Sequence, residues 1–250
     1  MKLDLLSKFC TPPGILTNHG RRQISEVKSE PAYLNDFELK AAAALPLPWT
    51  KTTTTTVGAP TGDYVSSVRN GVYQLKLASN SEAESARVDF ADTRPIPLEA
   101  GLVCEFWIDA INALPIAAER MAFGLVSAYN ATWDSATINC WFRLEANGDL
   151  LVETDDNTTD NDDKATSKTL VIATRYGLRI VVDTLSRIEF QFSTTAAASD
   201  AKWTTTNVLS MKDLTAANRL VQIIMAVQKD SGTGVPDVQA DFAGAWGWKR

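Results

Sequence analysis

The sequence predicts an all-β protein built as an antiparallel sandwich. From Asp63 onward, apolar and polar residues alternate with a period of two over many short segments, which is typical of half-buried strands. Two pairs, Asn70-Gly71 and Asn147-Gly148, are strong signals for two-residue hairpin turns, because both central residues of such a turn need a positive φ. Almost no helical periodicity separates these segments, so the strands are expected to pair with one another.

The predicted strands follow one another closely along the chain. They span 63–68, 72–78, 84–90, 101–111, 120–128, 137–146, 149–154, 168–174, 177–184, 187–193, 219–228 and 236–246. The single helical pattern in this region is short and runs from Met211 to Asn218. A chain of 250 residues is long enough for one large β-domain with a substantial core.

The alternation also assigns the two faces of individual strands, because successive side chains of a strand point to opposite sides. A one-residue slip would exchange the two faces, so the register of these strands should be firmly set. The predicted core face carries Cys104, Phe106, Ile108, Cys140, Phe142 and Leu144, and the opposite face carries Glu105, Trp107, Asp109, Trp141 and Arg143.

The first 60 residues differ from the rest, because no strand alternation is sustained there. Pro12-Pro13-Gly14 interrupts any regular element, and a short helix is predicted from Ala32 to Leu45, ended by the prolines at 46 and 48. Thr52 to Thr56 follows as a linker or an extended edge. We therefore predict an extended N-terminal arm over residues 1–60 and a β-sandwich domain over residues 61–250.

The charge of the chain is concentrated in one stretch. The sequence has 24 basic and 30 acidic residues, for a net charge of -6, and seven acidic and two basic residues lie between Asp149 and Lys168. An acidic chain of this kind argues against a broad nucleic-acid-binding surface, which needs clustered Lys and Arg. We predict no nucleic-acid partner.

The acidic run from Asp155 to Asp163 permits two interpretations. Its carboxylate and amide oxygens are ligands that suit calcium, but it lacks the glycine and the final glutamate of an EF-hand loop. The alternative is a mobile, solvated hairpin loop whose like charges repel. We assign no metal ligands here, and whether the loop binds calcium stays open.

Three further features restrict which cofactors, compartments and partners are expected: the cysteines, the histidine and the apolar segments. Cys104 and Cys140 lie in apolar strand patterns and no CxxC pair exists, so reduced, buried cysteines are expected. The single histidine, His19, lies in the arm without a nucleophile motif, and no phosphate-binding loop is present, so no cofactor is predicted. No signal peptide or membrane span is recognisable, which predicts synthesis in a reducing cytoplasm and no membrane partner.

Three stretches of the chain together resemble a known fold family. They are CWFRLEANGDLLVET at 140–154, LRIVVD at 178–183 with RIEF at 187–190, and the segment 221–246 with its DSGTG turn at 230–234. Their order resembles the concanavalin A-like (lectin/glucanase, laminin-G-like) jelly roll, particularly as it occurs in structural proteins of tailed bacteriophages. The resemblance covers about residues 63–248 and implies a jelly-roll sandwich, while activity must be argued from the site itself.

Glycoside hydrolysis is the first activity that this resemblance suggests. Glucanases of the fold carry their acids in an ExDxxE-like run on one strand, and such chemistry needs two carboxylates close together. The nearest match here is Glu105 with Asp109, and Trp107 stands where the middle acid is required. We therefore predict a protein that is not an enzyme.

The predicted function is that of a virion structural protein of a tailed phage, most simply a capsid decoration or cement protein held by its N-terminal arm. The virion is its expected location, the major capsid protein or other virion proteins are the expected partners, and a homo-oligomer is expected. The alternative is a carbohydrate-binding module of a head or tail fibre, in which outward indole rings would stack on a glycan. The predicted interaction surface is Trp107, Trp141, Arg143 and Trp133, and the predicted arm contacts are Arg21, Arg22, Tyr33 and Phe37.

Overall fold

The computed structural model describes residues 33–35, 45–65, 71–195 and 198–247. The strands within these residues are β1 (Tyr33–Asn35), β2 (Thr50–Thr54), β3 (Thr61–Tyr64), β4 (Tyr73–Lys76), β5 (Glu84–Asp89), β6 (Ile96–Pro97), β7 (Leu102–Ala113), β8 (Glu119–Val126), β9 (Asn139–Leu144), β10 (Asp149–Asp155), β11 (Asp160–Thr169), β12 (Tyr176–Thr184), β13 (Arg187–Ser193), β14 (Thr204–Leu209), β15 (Leu220–Lys229) and β16 (Asp237–Gly247). Short 3-10 helices lie at Trp133–Ser135, Ala146–Gly148, Ala198–Asp200 and Ala216–Asn218.

The strands form two antiparallel sheets packed face to face, which confirms the predicted sandwich. The first sheet has the order β14-β13-β12-β7-β16-β4-β3, and β1 pairs with β16 beside this path. The second sheet has the order β11-β10-β9-β8-β15-β5-β2, and β6 pairs with β15. Among the described residues, no helix has the length and apolar character that crossing a membrane requires.

The main core lies between the two sheets and contains the residues that the alternation assigned to it. Phe106 packs against Phe123 with ring centroids 6.0 Å apart, and Phe142 packs against Phe190 at 5.2 Å. Cys104 and Cys140 are free thiols buried in the same core. Their prediction as reduced packing residues is confirmed, while Cys10 lies outside the described residues.

Each sheet also carries a smaller apolar layer on its outer face. On the first sheet, Trp107 packs against Trp203 with centroids 5.5 Å apart, in a cluster that includes Trp246. On the second sheet, Trp141 packs against Trp133 at 5.8 Å. We call these the first and second outer layers. Segments 198–203 and 128–137 lie over them, so neither sheet presents a bare outer face at these points.

A buried lysine joins two loops at one end of β15. Lys229 is 0% exposed, and its Nζ donates to the carbonyl oxygens of Ala78 at 2.6 Å, Asn80 at 2.7 Å and Gly234 at 3.4 Å. The carboxylate of Glu84 lies 3.4 Å from the same ammonium group, and its side chain is also 0% exposed. The charged pair therefore fixes the loop between β4 and β5 against the loop between β15 and β16.

The acidic loop and its neighbours differ from the prediction. Residues 160–169 form β11, and the connection to β10 is a short turn over residues 156–159. The predicted strand at 168–174 ends at Thr169, because the next backbone groups bond elsewhere: Leu170 N donates to Gly148 O and Ala173 N to Ile111 O. Strand β11 carries polar residues on both of its faces, so no alternation of apolar and polar residues in the sequence indicates this strand.

Two further elements depart from the sequence pattern. Met211 to Asn218 contains a turn and one 3-10 helix rather than the predicted helix, because the buried Met211 and Leu214 imitate helical spacing. Strand β14, which consists of TTTNVL, is an edge strand in which no residue is fully buried, and it was not predicted.

The first 60 residues contribute strands to the sandwich. Thr50–Thr54 pairs with β5 as the edge strand of the second sheet, and Trp49 lies in the main core. Tyr33–Asn35 pairs with Ala243–Ala245 of β16 rather than beginning a helix. The rest of the predicted helix, residues 36–44, lies outside the described residues. The division between an arm and a domain at residue 60 stays a prediction, although strand β2 belongs to the sheet.

Asn147 and Gly148 have the predicted positive φ, of 67° and 82°, but the connection is longer than the predicted two-residue turn, because Leu144 pairs with Leu150 and Ala146–Gly148 form a 3-10 helix between the strands. The turn predicted at Asn70-Gly71 falls largely outside the described residues. We expect Gly232→Ala, with φ of 89°, to lower the free energy of unfolding by about 1 kcal/mol through backbone strain alone.

Gly148→Ala should lower the free energy of unfolding by about 1–3 kcal/mol more than Gly232→Ala does, because the added Cβ would lie 2.3 Å from the carbonyl oxygen of Leu170. At Gly232, in the part of the chain that the structure describes, nothing lies within 4 Å of an added Cβ. Urea denaturation of both variants measures the difference, and equal losses would contradict this account.

Candidate functional site

A polar groove lies at one end of the sandwich, where four loops meet beside the second sheet. The loops are 91–95, 127–138, 156–159 and 215–219, and they enclose a cavity of about 590 Å³. Two apolar residues, Ile138 and Leu220, lie among the polar ones. The polar lining residues are Asp92, Arg94, Ser127, Thr137, Asn157 and Asn218. We call this cavity the loop groove.

Buried hydrogen bonds hold the loops of the groove in place. Gln222, which is 0% exposed, accepts from the backbone N–H groups of Phe90 and Asp92 and donates to Asp92 Oδ1 at 2.8 Å. Asp92 Oδ1 also accepts from Tyr129 N at 3.0 Å, which ties two loops together. Both Ala91 and Asp92 have positive φ, so this turn is tightly constrained.

The β10–β11 turn is fixed in a comparable way. Asp156 is buried, and its carboxylate accepts from the backbone N–H groups of Thr158, Thr159 and Asp213 at 2.7 to 3.1 Å. Asn157, which lines the loop groove, therefore stands on an ordered turn. Where the sequence suggested a hairpin loop over Asp155–Asp163, the structure has a hydrogen-bonded turn over residues 156–159 followed by strand β11.

A second polar site lies on the outer face of the second sheet, around Arg143. The guanidinium of this residue, whose side chain is 5% exposed, contacts four carboxylates. Its Nη1 lies 2.6 Å from Asp134 and 2.8 Å from Glu153, and its Nη2 lies 2.8 Å from Glu145. Asp163 is 3.3 Å from Nη1. Together with Asp162, these residues form what we call the carboxylate cluster.

A β-bulge concentrates the acids at this point. Val152 pairs with Lys164 and Thr154 pairs with Asn161, so Asp162 and Asp163 both lie opposite Glu153. Three of the seven acids between Asp149 and Lys168, namely Glu153, Asp162 and Asp163, are thus neighbours across the β10–β11 hairpin. The carboxylates of the cluster outnumber the cations, because four of them contact the single guanidinium of Arg143.

Burial disfavours the charged forms of several of these acids. Desolvation raises the pKa of Glu145 and of Glu153, and the adjacent Arg143 opposes the shift in both. Desolvation together with the neighbouring Asp160 raises the pKa of Asp162. The folded protein therefore holds these carboxylates at a cost that increases as they ionise.

The residues of the predicted interaction surface are located on outer faces, but the structure buries them. Trp107, Trp133 and Trp141 are each 1% exposed, because segments 198–203 and 128–137 cover them. Arg143 is enclosed by the carboxylate cluster. The sequence shows which face a strand residue takes, but it does not show which loop lies over that face.

Of the four predicted arm contacts, Tyr33 lies within the described residues. Tyr33 lies in β1, where its backbone is paired with Ala245. Arg21, Arg22 and Phe37 lie outside the described residues, and their role stays a prediction.

The two acids weighed for glycoside hydrolysis are each engaged with an arginine. Glu105 is 2% exposed and accepts from Trp107 Nε1 at 2.6 Å and from Arg179 Nη2 at 2.6 Å. Asp109 pairs with Arg175 at 2.9 Å. A general acid needs a proton to donate and access to the glycosidic oxygen, and buried Glu105 has no open approach for a substrate.

Comparison with known proteins gives matches in structure only. The sequence matches no protein-family model and no curated protein. A protein of unknown function from Shewanella oneidensis MR-1 aligns with a TM-score of 0.60 at 11% identity, over 95% of this chain and 96% of that chain. The Bacteroides ovatus mixed linkage glucan PUL GH16, in complex with a G4G4G3G product, aligns with a TM-score of 0.56 at 8% identity, over 84% and 98%. The carbohydrate recognition domain of Emp47p aligns with a TM-score of 0.52 at 9% identity, over 87% and 98%.

Identities this low show a common fold and leave activity undecided. The chain has the concanavalin A-like jelly-roll fold of lectins and glucanases, as the resemblance of its sequence predicted. Some of the matched structures are glycan-binding domains and another is a GH16 protein, so the fold does not distinguish binding from hydrolysis. The placement in tailed phages stays a prediction.

Proposed function

We propose that this protein is a non-enzymatic glycan-binding domain and that the loop groove is its binding site. The observation that carries the proposal is the convergence of six polar side chains from four loops around one cavity of about 590 Å³. A cavity of this size lies within the range of roughly 300–1,000 Å³ that small-molecule sites occupy.

The chemistry of the groove suits a neutral sugar. Asp92 supplies its second carboxylate oxygen, Oδ2, as an acceptor, and Arg94 supplies donors. The amides of Asn157 and Asn218 supply both, which matches the paired donor and acceptor character of hydroxyl groups. Ile138 and Leu220 offer apolar contact for the C–H face of a ring. Because buried bonds fix the loops beforehand, little conformational freedom is lost on binding.

Two of the neighbouring structures support this assignment. The Emp47p domain is described as a carbohydrate recognition domain, and the VIP36 domain was solved with Man3GlcNAc bound. The sequence-based alternative of a carbohydrate-binding module is thus retained, but its site moves from the buried tryptophans to the loop groove.

A glycan array followed by calorimetry on the best hit tests the proposal. We expect Arg94→Ala and Asn218→Ala to weaken binding about tenfold each, the effect of losing roughly 1.4 kcal/mol of hydrogen bonding. Lys202→Ala removes an exposed positive charge far from the groove in sequence and should bind like the wild type. Binding that is unaffected by both groove variants, or an array without hits, would overturn the assignment.

We propose a virion structural role as the second candidate, favoured by the pairing of β1 with β16. Tyr33–Asn35 adds its backbone to the first sheet opposite Ala243–Ala245, which ties the N-terminal segment to the sandwich. A segment held in this way is suited to link the domain to a capsid surface, and several such links would raise avidity. The proposed partners remain the major capsid protein or other virion proteins, with the virion as the location.

Copy number in purified virions tests this second candidate. Hundreds of copies would support a role on the shell, whereas absence from intact particles would end it. Removing residues 1–32, which leaves all described strands in place, should abolish attachment while the thermal unfolding midpoint stays near that of the full chain.

A further inference from the structure

The carboxylate cluster contains three oxygens that are close enough to share one ion. One carboxylate oxygen each from Asp134, Glu153 and Asp162 lies within 4.8 Å of the other two. These residues come from three separate segments: the 3-10 helix after β8, strand β10 and the bulge of β11. Arg143 Nη1 contacts Asp134 and Glu153, but this one guanidinium is the cation for three carboxylates, which still repel one another at this separation.

A buried amide beside the cluster gives an independent sign of a missing ligand. Asn139 is 1% exposed and lies on the same face of β9 as Arg143, with its Nδ2 donating to Glu153 Oε1 at 2.5 Å. The carbonyl oxygen of this amide, Oδ1, is buried and has no hydrogen-bond partner among the described residues. Buried polar atoms are seldom left unpaired, and an unpaired oxygen beside carboxylates suits coordination to a metal ion.

We propose that Asp134, Glu153, Asp162 and Asn139 Oδ1 bind one calcium ion. All four ligands are hard oxygens, and no histidine or cysteine takes part, which favours calcium over zinc. Calcium–oxygen distances of about 2.3–2.6 Å place opposite ligands up to roughly 5 Å apart, so three carboxylate oxygens within 4.8 Å of one another can share one calcium ion. Magnesium, with distances of about 2.0–2.1 Å, spans only about 4.2 Å and demands stricter geometry.

Arg143 is compatible with this ion as a positioning residue. Its Nη1 contacts Oδ1 of Asp134 and Oε2 of Glu153, so the ion would take Oδ2 of Asp134 and would share Oε1 of Glu153 with Asn139 Nδ2. Asp162 makes no ion pair with Arg143 among the described contacts, so it is the acid that gains most from a second cation. The ion would connect the segment that carries Trp133 to the β10–β11 hairpin, and would thereby keep Trp133 packed against Trp141 in the second outer layer.

Calorimetric titration of the full chain with calcium chloride, at constant ionic strength, tests the proposal. We expect one ion per chain, and an affinity about tenfold or more lower in Asp162→Asn. Asp149→Asn is the matched control, because it removes the same charge from the same hairpin outside the cluster. Both positions are exposed, so neither variant is expected to impair folding.

Three results would overturn the proposal. The first is no binding at up to about 10 mM calcium, since even the weak calcium sites of extracellular modules are filled at roughly millimolar concentrations. The second is an equal loss of calcium affinity in Asp149→Asn, which would indicate diffuse charge attraction. The third is equal affinity for magnesium, which would contradict the choice of ion. Terbium luminescence excited through tryptophan gives a second readout, since Trp133 is adjacent to Asp134 in the chain. Loss of that signal in Asp162→Asn but not in Asp149→Asn is the expected result.

Discussion

A Lys229→Met protein is expected to have a free energy of unfolding about 3–5 kcal/mol below that of the wild type, because it leaves Glu84 as a buried, uncompensated charge. The substitution also removes the donor for three loop carbonyls. Since domains of this kind are stable by only about 5–15 kcal/mol, a loss of this size takes a large share of the total. Urea denaturation followed by circular dichroism measures it.

The double variant Lys229→Met with Glu84→Gln separates the two contributions. Removing the second charge should restore part of the lost stability, because a neutral amide is less costly to bury than an unpaired carboxylate. The loop carbonyls remain unpaired in both proteins. A loss below about 1 kcal/mol in the single variant, as for exposed ion pairs, would contradict the buried clamp that the structure shows.

Arg143→Met should have the second large effect, and this effect should depend on pH. The substitution leaves Glu153, which is 1% exposed, without its cation, and at neutral pH we expect a loss of about 3–5 kcal/mol. Arg187→Met is the control. Arg187 pairs with Glu189, but its side chain is 53% exposed, so removing it should cost at most about 1 kcal/mol.

The sign of the pH dependence follows from the raised pKa values of Glu145 and Glu153. Desolvation places both pKa values above the ordinary 4.5, and without Arg143 they should rise further. The folded variant then binds protons more tightly than the unfolded chain. Its loss of unfolding free energy relative to the wild type, here called the deficit, is therefore largest at pH values above the folded pKa values. As the pH falls through them toward 4.5, the deficit should shrink. A deficit that stays constant between about pH 7 and about pH 5 would show that these carboxylates are not its cause.

The sequence was sufficient to predict the sandwich and the faces of its central strands. Strands such as β7 and β9 alternate large apolar residues with polar ones, and in these strands burial on one side leaves a clear period of two. The positive φ at Asn147 and Gly148 could be predicted because few residue pairs adopt this backbone. Strands β11 and β14 lack apolar residues at alternate positions, so their existence depends on pairing partners that the local sequence does not reveal.

The candidate sites were harder to predict because their residues are brought together by topology. Asp134, Glu153 and Asp162 come from different elements, and the bulge that aims two acids at Glu153 leaves no sequence signature. The clustering of acids between Asp149 and Lys168 was the available signal, and it suggested a loop instead of a sheet face. The loop groove combines single residues from four connections, which no spacing rule links.

The distribution of tryptophan has a practical consequence for spectroscopy. Of the tryptophans in the described residues, only Trp49 belongs to the main core, whereas Trp107, Trp203 and Trp246 lie in the first outer layer and Trp133 and Trp141 in the second. Intrinsic fluorescence will therefore report chiefly on the covering segments. A red shift in emission can mark the lifting of a surface segment while both sheets remain intact, so circular dichroism should accompany it in any unfolding experiment.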